Sequence, residues 1–168
     1  MLIMKPISYS VPQRIVHWAT ALLIFFNLIF TDGIETWHRA ARSGAATDAQ
    51  VADANIHAYV GIAILALAVI RIVLLAFQGK PAVPADEPQL AKLASAVVHG
   101  LLYLLLFLLP ISGIAAYYFG VGLAGEAHAE VFKTVLWLLL GLHIAAALVH
   151  KFYWKTDVLD RMTKGVKA

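Results

Sequence analysis

Histidine supplies most of the chemistry open to this sequence. There are seven histidines and no cysteine, which excludes disulfides, thiolate-held iron–sulfur clusters and zinc ribbons. An imidazole that stays neutral near pH 7 can hold a metal or carry a proton. His17, His57, His99, His128, His143 and His150 lie in or at the ends of long apolar stretches, where a polar ring is costly without a partner; only His38 lies outside them. The ten carboxylates (Asp32, Glu35, Asp48, Asp53, Asp86, Glu87, Glu126, Glu130, Asp157 and Asp160) fall in loops or at predicted helix ends. A proton pump or cation transporter would place acids at mid-membrane, so that class is disfavoured.

The elements that must position these rings are legible in the hydropathy. With 61% hydrophobic and 14% charged residues, the chain falls outside the range of soluble globules. Apolar runs near 15–31, 56–77, 93–119 and 131–152 are each long enough to cross about 30 Å of hydrocarbon. The expected fold is all-α: an integral membrane four-helix up-down-up-down bundle, one domain over 1–168. Lys5, Arg14, Lys80, Lys92, Lys151, Lys155, Arg161, Lys164 and Lys167 gather on the side of the termini, against Arg39, Arg42 and Lys133 opposite. The positive-inside bias therefore puts both termini in the cytoplasm. The charge of +3 is a topology signal, since the basic residues border helix ends instead of forming a face for a phosphate backbone, and no nucleic-acid partner is expected. A signal peptide is the competing account of the first run, but its loss would remove His17, Trp18 and Asn27 and leave three spans.

Local signals refine the boundaries. Ser10 followed by Pro12 and Gln13 predicts a capping box at the start of the first helix. The segment 32–55 reads as a loop with a short surface helix around 45–52, and Asp53 or Asn55 as the cap of the second span. Gly79-Lys80-Pro81 with Pro84 and Pro88 predicts a loop, and Pro110 with Gly113 a kink in the third span.

Depth pairs the histidines. His17 lies near the inner end of the first span and His57 near the outer end of the second, while the fourth carries His128 at its outer start and His143 further in. His17 with His143, and His57 with His128, form two levels roughly 22 Å apart along the helix axis. Paired neutral imidazoles between apolar walls suit bis-histidine iron, so the expected cofactors are two b haems held only by iron ligation and packing. Small residues near the ligands, Gly61, Ala63, Gly141, Ala145, Ala146 and Ala147, would admit a flat ring or serve ordinary helix packing. Arg71 is the charge set well inside a span, placed to pair with a haem propionate or to snorkel; Arg14 and His150 are further candidates at that level. His150 could also give a proton to a quinone or face headgroups. His99, with Tyr103 one turn on, is expected to be a hydrogen-bonded or supporting histidine.

The chain resembles the bacterial di-haem cytochrome b561 family over nearly its whole length. The matching stretches are Gln13-Arg14-Ile15-Val16-His17-Trp18, Ile56-His57 with Gly61 and Arg71, His99-Gly100-Leu101-Leu102-Tyr103, and Leu109-Pro110-Ile111-Ser112-Gly113. The fourth helix contributes Gly141-Leu142-His143 through His150-Lys151-Phe152-Tyr153-Trp154-Lys155. The resemblance implies His17, His57, His128 and His143 as iron ligands. It also implies fourteen residues between the last two, whereas this sequence has fifteen. One residue turns a side chain by about 100° on a 3.6-residue helix, so His128 needs a π-bulge or a non-helical start to keep its aim; otherwise His38 could replace it.

The activity implied by the resemblance is electron exchange with the quinone pool. Its most specific form is superoxide oxidation at the periplasmic face with ubiquinone as the electron acceptor, the anion drawn in by Arg39, Arg42 and Lys133. The alternative is a non-catalytic cytochrome b subunit that takes electrons from a partner dehydrogenase or hydrogenase, docked on the loop 32–55. A histidine-lined metal transporter is the reading from a different class. The implied partners are the lipid bilayer, quinone, and superoxide or a redox protein.

Overall fold

A computed structural model describes residues 6–30, 33–84 and 87–166. Lys5, Thr31, Asp32, Asp86 and Lys167, with the side chains of Glu35 and Arg42, lie outside the described residues. The described chain is helical, in the order α1 (Val11–Phe30), α2 (Gly33–Arg42), α3 (Asp48–Gln78), α4 (Gln89–Phe119), α5 (Gly122–Tyr153) and α6 (Val158–Met162). Among the described residues, α1, α3, α4 and α5 are long and apolar enough to cross a membrane.

Each start and stop has a local cause. At α1, Gln13 N–H donates to Ser10 Oγ at 3.3 Å and Ser10 N–H to Gln13 Oε1 at 2.9 Å, the predicted capping box. The same Gln13 is buried and donates its amide to Gly79 O at 2.9 Å, tying the start of α1 to the end of α3. Thr47, not Asp53 or Asn55, caps α3, in a second capping box with Gln50. From Asp48 no proline or glycine interrupts the sequence before Gly61, so the helix starts earlier than the apolar run and absorbs most of the predicted surface helix. The surface helix is instead α2, which ends at Ser43-Gly44, where Gly44 has φ 69°. Inside α3, Asn55 accepts a hydrogen bond from Tyr117 Oη at 2.9 Å. The third spanning helix continues through Pro110 and ends at Gly120 in the left-handed region, φ 66° and ψ 21°.

Packing runs α1 on α3, α3 on α4, and α4 on α5, with α2 laid on α3. Two apolar clusters bind the bundle. Ile64, Ala68 and Leu106 pack with Leu23, Val60 and Phe107, and Leu105, Leu136 and Leu139 with Leu28, Leu102 and Phe132. The periphery is apolar as well: Leu22 is 69% exposed, Phe77 86% and Leu90 81%. Such a surface suits a hydrocarbon surround.

The C-terminal segment straps one end of the bundle. Arg14 Nη1 donates to Thr163 O at 2.8 Å, Trp18 Nε1 to Met162 O at 3.0 Å, and Arg161 Nη1 to Ala82 O at 2.6 Å. The two hydrogen bonds from Lys151 hold the Asp160 carboxyl below its ordinary value, with Lys164 adding to the effect. A depressed carboxyl contributes stability above the ordinary carboxylate range and loses it as pH falls through its folded value. The strap is therefore fully fastened at neutral pH.

Ala68 is fully buried where α3 meets its neighbours, and Ala66 is exposed. Ala68→Leu is expected to destabilise the protein by about 1–3 kcal/mol through overpacking, with Ala66→Leu near neutral, as read by thermal unfolding in detergent. Equal effects would show that the tight seam does not run through Ala68.

Candidate functional site

The bundle brings its histidines together at two levels. At the first, the rings of His57 on α3 and His128 on α5 have centres 5.9 Å apart at 70°. The fifteen-residue interval is accommodated in the backbone: Ala127–Phe132 is a π-helical turn within α5. A π turn holds one residue more than an α turn, so the rest of the helix keeps the alignment that a fourteen-residue interval would give. His38 lies on α2 with its ring 6.2 Å from Trp37.

The surroundings orient His128 closely. Its Nδ1 is 2.8 Å from Leu109 O and 3.2 Å from Ser112 Oγ, while the Ser112 hydroxyl donates to Leu109 O. The carbonyl can only accept, so Nδ1 carries the hydrogen and Nε2 presents its lone pair, the state a metal ligand requires. Gly113 makes room for the ring, because a Cβ there would lie 3.1 Å from Cε1 and 3.3 Å from Nδ1 of His128. Asn27 on α1 donates to His57 O at 3.2 Å. A cavity of about 270 Å³ adjoins both rings, walled by residues that include Ile24, Leu28, Gly61, Leu105 and Leu136, with Lys133 also on its lining.

At the second level His17 on α1 and His143 on α5 have ring centres 6.3 Å apart. His99 on α4 stands edge-on to His143 at 5.1 Å and gives its Nδ1–H to Ser95 O at 2.7 Å. Arg71 Nη1 lies 3.0 Å from His17 Nδ1, and its guanidinium sits over Tyr103 with Cζ 5.3 Å from the ring centre. A guanidinium only donates, so His17 accepts here through Nδ1. A small cavity of about 30 Å³ separates these groups from Tyr9, Gln13 and Met162. Burial pushes the Tyr9 hydroxyl above its ordinary value, with Tyr103 adding to the shift and Arg71 and Arg161 opposing it.

Arg14 and His150 sit near this second level. Arg14 turns to the C-terminal strap, where its guanidinium packs over Gly165. His150 is buried, between Glu87 and Thr156. Arg39 is exposed on α2. The sequence reading assigned no such roles to Ser112, Gly113, Asn27, Glu87 or Thr156; all but Thr156, six residues from His150, act through contacts distant in sequence.

The donor set can be tested against the chemistry. Two imidazoles sharing one iron have ring centres about 6 Å apart, given metal–nitrogen bonds of about 2 Å on each side. Both histidine pairs match that spacing. Among the described residues no cluster of three or more His, Asp or Glu side chains could hold a bare metal ion. Two facing imidazoles would hold an iron whose other donors a porphyrin supplies.

The pattern of the prokaryotic cytochrome b561 family matches residues 8–165. The chain belongs to that family. It is 31% identical over 160 residues to cytochrome b562 of Cereibacter sphaeroides, covering 94% of this chain and 96% of that protein. To the probable superoxide oxidase CybB of Yersinia pestis it is 34% identical over a 176-residue alignment, covering 92% and 95% of the two chains. As a cytochrome b561 it is a bacterial membrane electron-transfer protein, and its cofactor is haem b.

Two predictions follow from the geometry around His128. Gly113→Val would drive the new side chain into the His128 ring and is expected to lower the haem content of the purified protein; unchanged content would mean that the ring does not need this seat. Deleting Ala129 from the π turn should leave an ordinary α-helix and preserve haem content. Inserting one alanine after Thr134 should rotate His128 by about 100° and reduce it. Equal haem content in the deletion and the insertion would deny the π turn its aligning role.

Proposed function

We propose that this cytochrome b561 carries two b haems, one between His57 and His128 and one between His17 and His143, and moves electrons between them across the bacterial inner membrane. The observation that carries this reading is the pair of imidazole couples, each about 6 Å between ring centres, at two levels of a single apolar bundle. In this reading residues 1–168 form one domain, the spans run up and down in turn, and both termini are cytoplasmic. The His57–His128 level then faces the periplasm.

When bound, haem supplies a one-electron carrier whose potential the ligands and their surroundings tune. The chain's own groups do the rest. Leu109 O and Ser112 hold the His128 tautomer, the leucine walls keep water out, and Arg71 supplies a charge at the cytoplasmic level. Because a ligating imidazole needs an acceptor, not a donor, at its second nitrogen, Arg71 would have to release His17 Nδ1 for His17 to hold iron, and its guanidinium would then be free to pair with an acidic group of the haem. Arg14, now engaged by the strap, is a nearby polar group that could share that role, whereas His150 is held by Glu87 and Thr156.

The proposed reaction is superoxide oxidation with ubiquinone reduction. Two superoxide anions each give up one electron and leave as dioxygen, and one ubiquinone takes both electrons with two protons. The likeness to a probable superoxide oxidase supports this substrate. So does the position of Lys133, which lines the cavity beside His57 and His128 where an anion would be attracted. The second reading, an electron-transfer subunit serving a partner dehydrogenase or hydrogenase, is favoured by α2, a surface helix bearing Trp37, His38 and Arg39 that could dock a protein.

Pyridine haemochrome analysis of the purified protein, followed by mixing with superoxide and ubiquinone, tests the proposal. Two b haems per chain, quickly reduced by superoxide and reoxidised by ubiquinone, are expected. One haem would refute the double pairing, and two haems indifferent to superoxide would favour the subunit reading. Neutralising Arg39 and Lys133 together is expected to slow reduction by superoxide and flatten its salt dependence. An unchanged dependence would remove these residues from anion capture.

A further inference from the structure

His150 and Glu87 form a buried acid–base pair that the electron path does not use. His150 is 7% exposed and Glu87 9%, and His150 Nε2 lies 3.4 Å from Glu87 Oε1. Oε1 has no hydrogen-bond partner in this arrangement. The other ring nitrogen is committed. Thr156 Oγ1 lies 2.9 Å from Nδ1 and 3.3 Å from His150 O, a hydrogen bond that either tautomer of the ring can make. Nε2 and a carboxylate oxygen face each other in a buried site. Two such atoms held so close are stable only with a proton on one of them.

The charges around the pair are otherwise satisfied. On its own helix, Lys151 is bound to Asp160, which also meets Lys164. From the C-terminal segment, Arg161 pairs with Asp157. On the α4 side, Lys92 lies one turn past Pro88, with its backbone N–H bonded to Pro88 O. Trp154 covers the imidazole edge-on at 4.7 Å. The Glu87–His150 couple thus stands apart from these ion pairs as a group that can change charge without breaking one. It stands seven residues, or about 10 Å, along α5 from His143, where a unit charge is felt strongly through a low-dielectric interior.

We propose that the Glu87–His150 pair is a redox-linked proton site: it binds one proton from the cytoplasmic side when an electron arrives at the His17–His143 level, and releases it when the electron leaves. The inference rests on the proposed haem at that level. One electron is gained by the haem and one proton by the pair, so the change in local charge cancels. The site gives the cytoplasmic end a store of protons beside the place where, in the proposed function, quinone reduction consumes them.

Redox titration of the two haems in the intact protein from about pH 6 to 9 tests this. The midpoint of one haem is expected to fall with pH, by up to ~59 mV per unit for one proton per electron. Glu87→Gln, which keeps the shape and can donate to Nε2, should abolish that slope, leaving the second haem's midpoint and the haem content unchanged. His150→Gln provides the same test should Glu87→Gln fail to assemble. Flat midpoints in the wild type would overturn the proposal. A slope that persists in either variant would do so too, placing the proton elsewhere, for example on a propionate. Absence of a Soret band would instead overturn the haem reading itself, and this inference with it.

Discussion

The structure depends on one constraint: an imidazole inside a hydrocarbon-solvated bundle must be partnered. Water cannot rescue an unpaired ring there, and the apolar periphery of α1, α3, α4 and α5 leaves nothing polar to turn towards except other helices. The coupled histidines of α1, α3 and α5 are therefore directed inward, and the couples His57–His128 and His17–His143 fix which helix faces meet. The leucine clusters between the two levels fill what remains.

The price of that constraint is visible in α5. Its backbone departs from α geometry in a π turn at Ala127–Phe132 and again at Val149–Tyr153. The first aligns His128, and the second begins beside His150, whose ring is buried against Glu87 and Thr156. A π turn gives up favourable packing along the helix and persists where a side chain's aim is worth more. The polar groups outside the couples, Ser112 and Asn27 at one level and Arg71 and His99 at the other, then hold the rings or occupy the space around them.

The two ends differ in a way that bears on electron transfer. The His57–His128 level opens on a roomy cavity with a lysine on its lining, whereas the His17–His143 level is tight, strapped by the C-terminal segment and ringed by arginine, tyrosine and a buried His–Glu pair. In the proposed function the first would receive an anion and the second a proton, so that charge and protons would enter at opposite ends of one bundle.

Hydropathy and spacing by themselves determined the all-helical class, the long apolar helices, the first capping box and the two histidine couples, because these follow from local periodicity and from the cost of polar groups in hydrocarbon. Set against the fourteen-residue interval that the family resemblance implies, the fifteen residues here called for a π-bulge or a non-helical start, and the backbone took the π turn. Tertiary structure decided the rest. Thr47 outcompeted Asp53 and Asn55 as a cap because its partner Gln50 completes a box, and Asn55 then found Tyr117. Gly113 matters only because another helix brings a ring against it. Glu87 and His150 stand 63 positions apart in sequence, and no local pattern marks them as a pair. Contacts of that kind arise from the angles at which helices cross and the path of the terminal strap, and those are set by the whole packing at once.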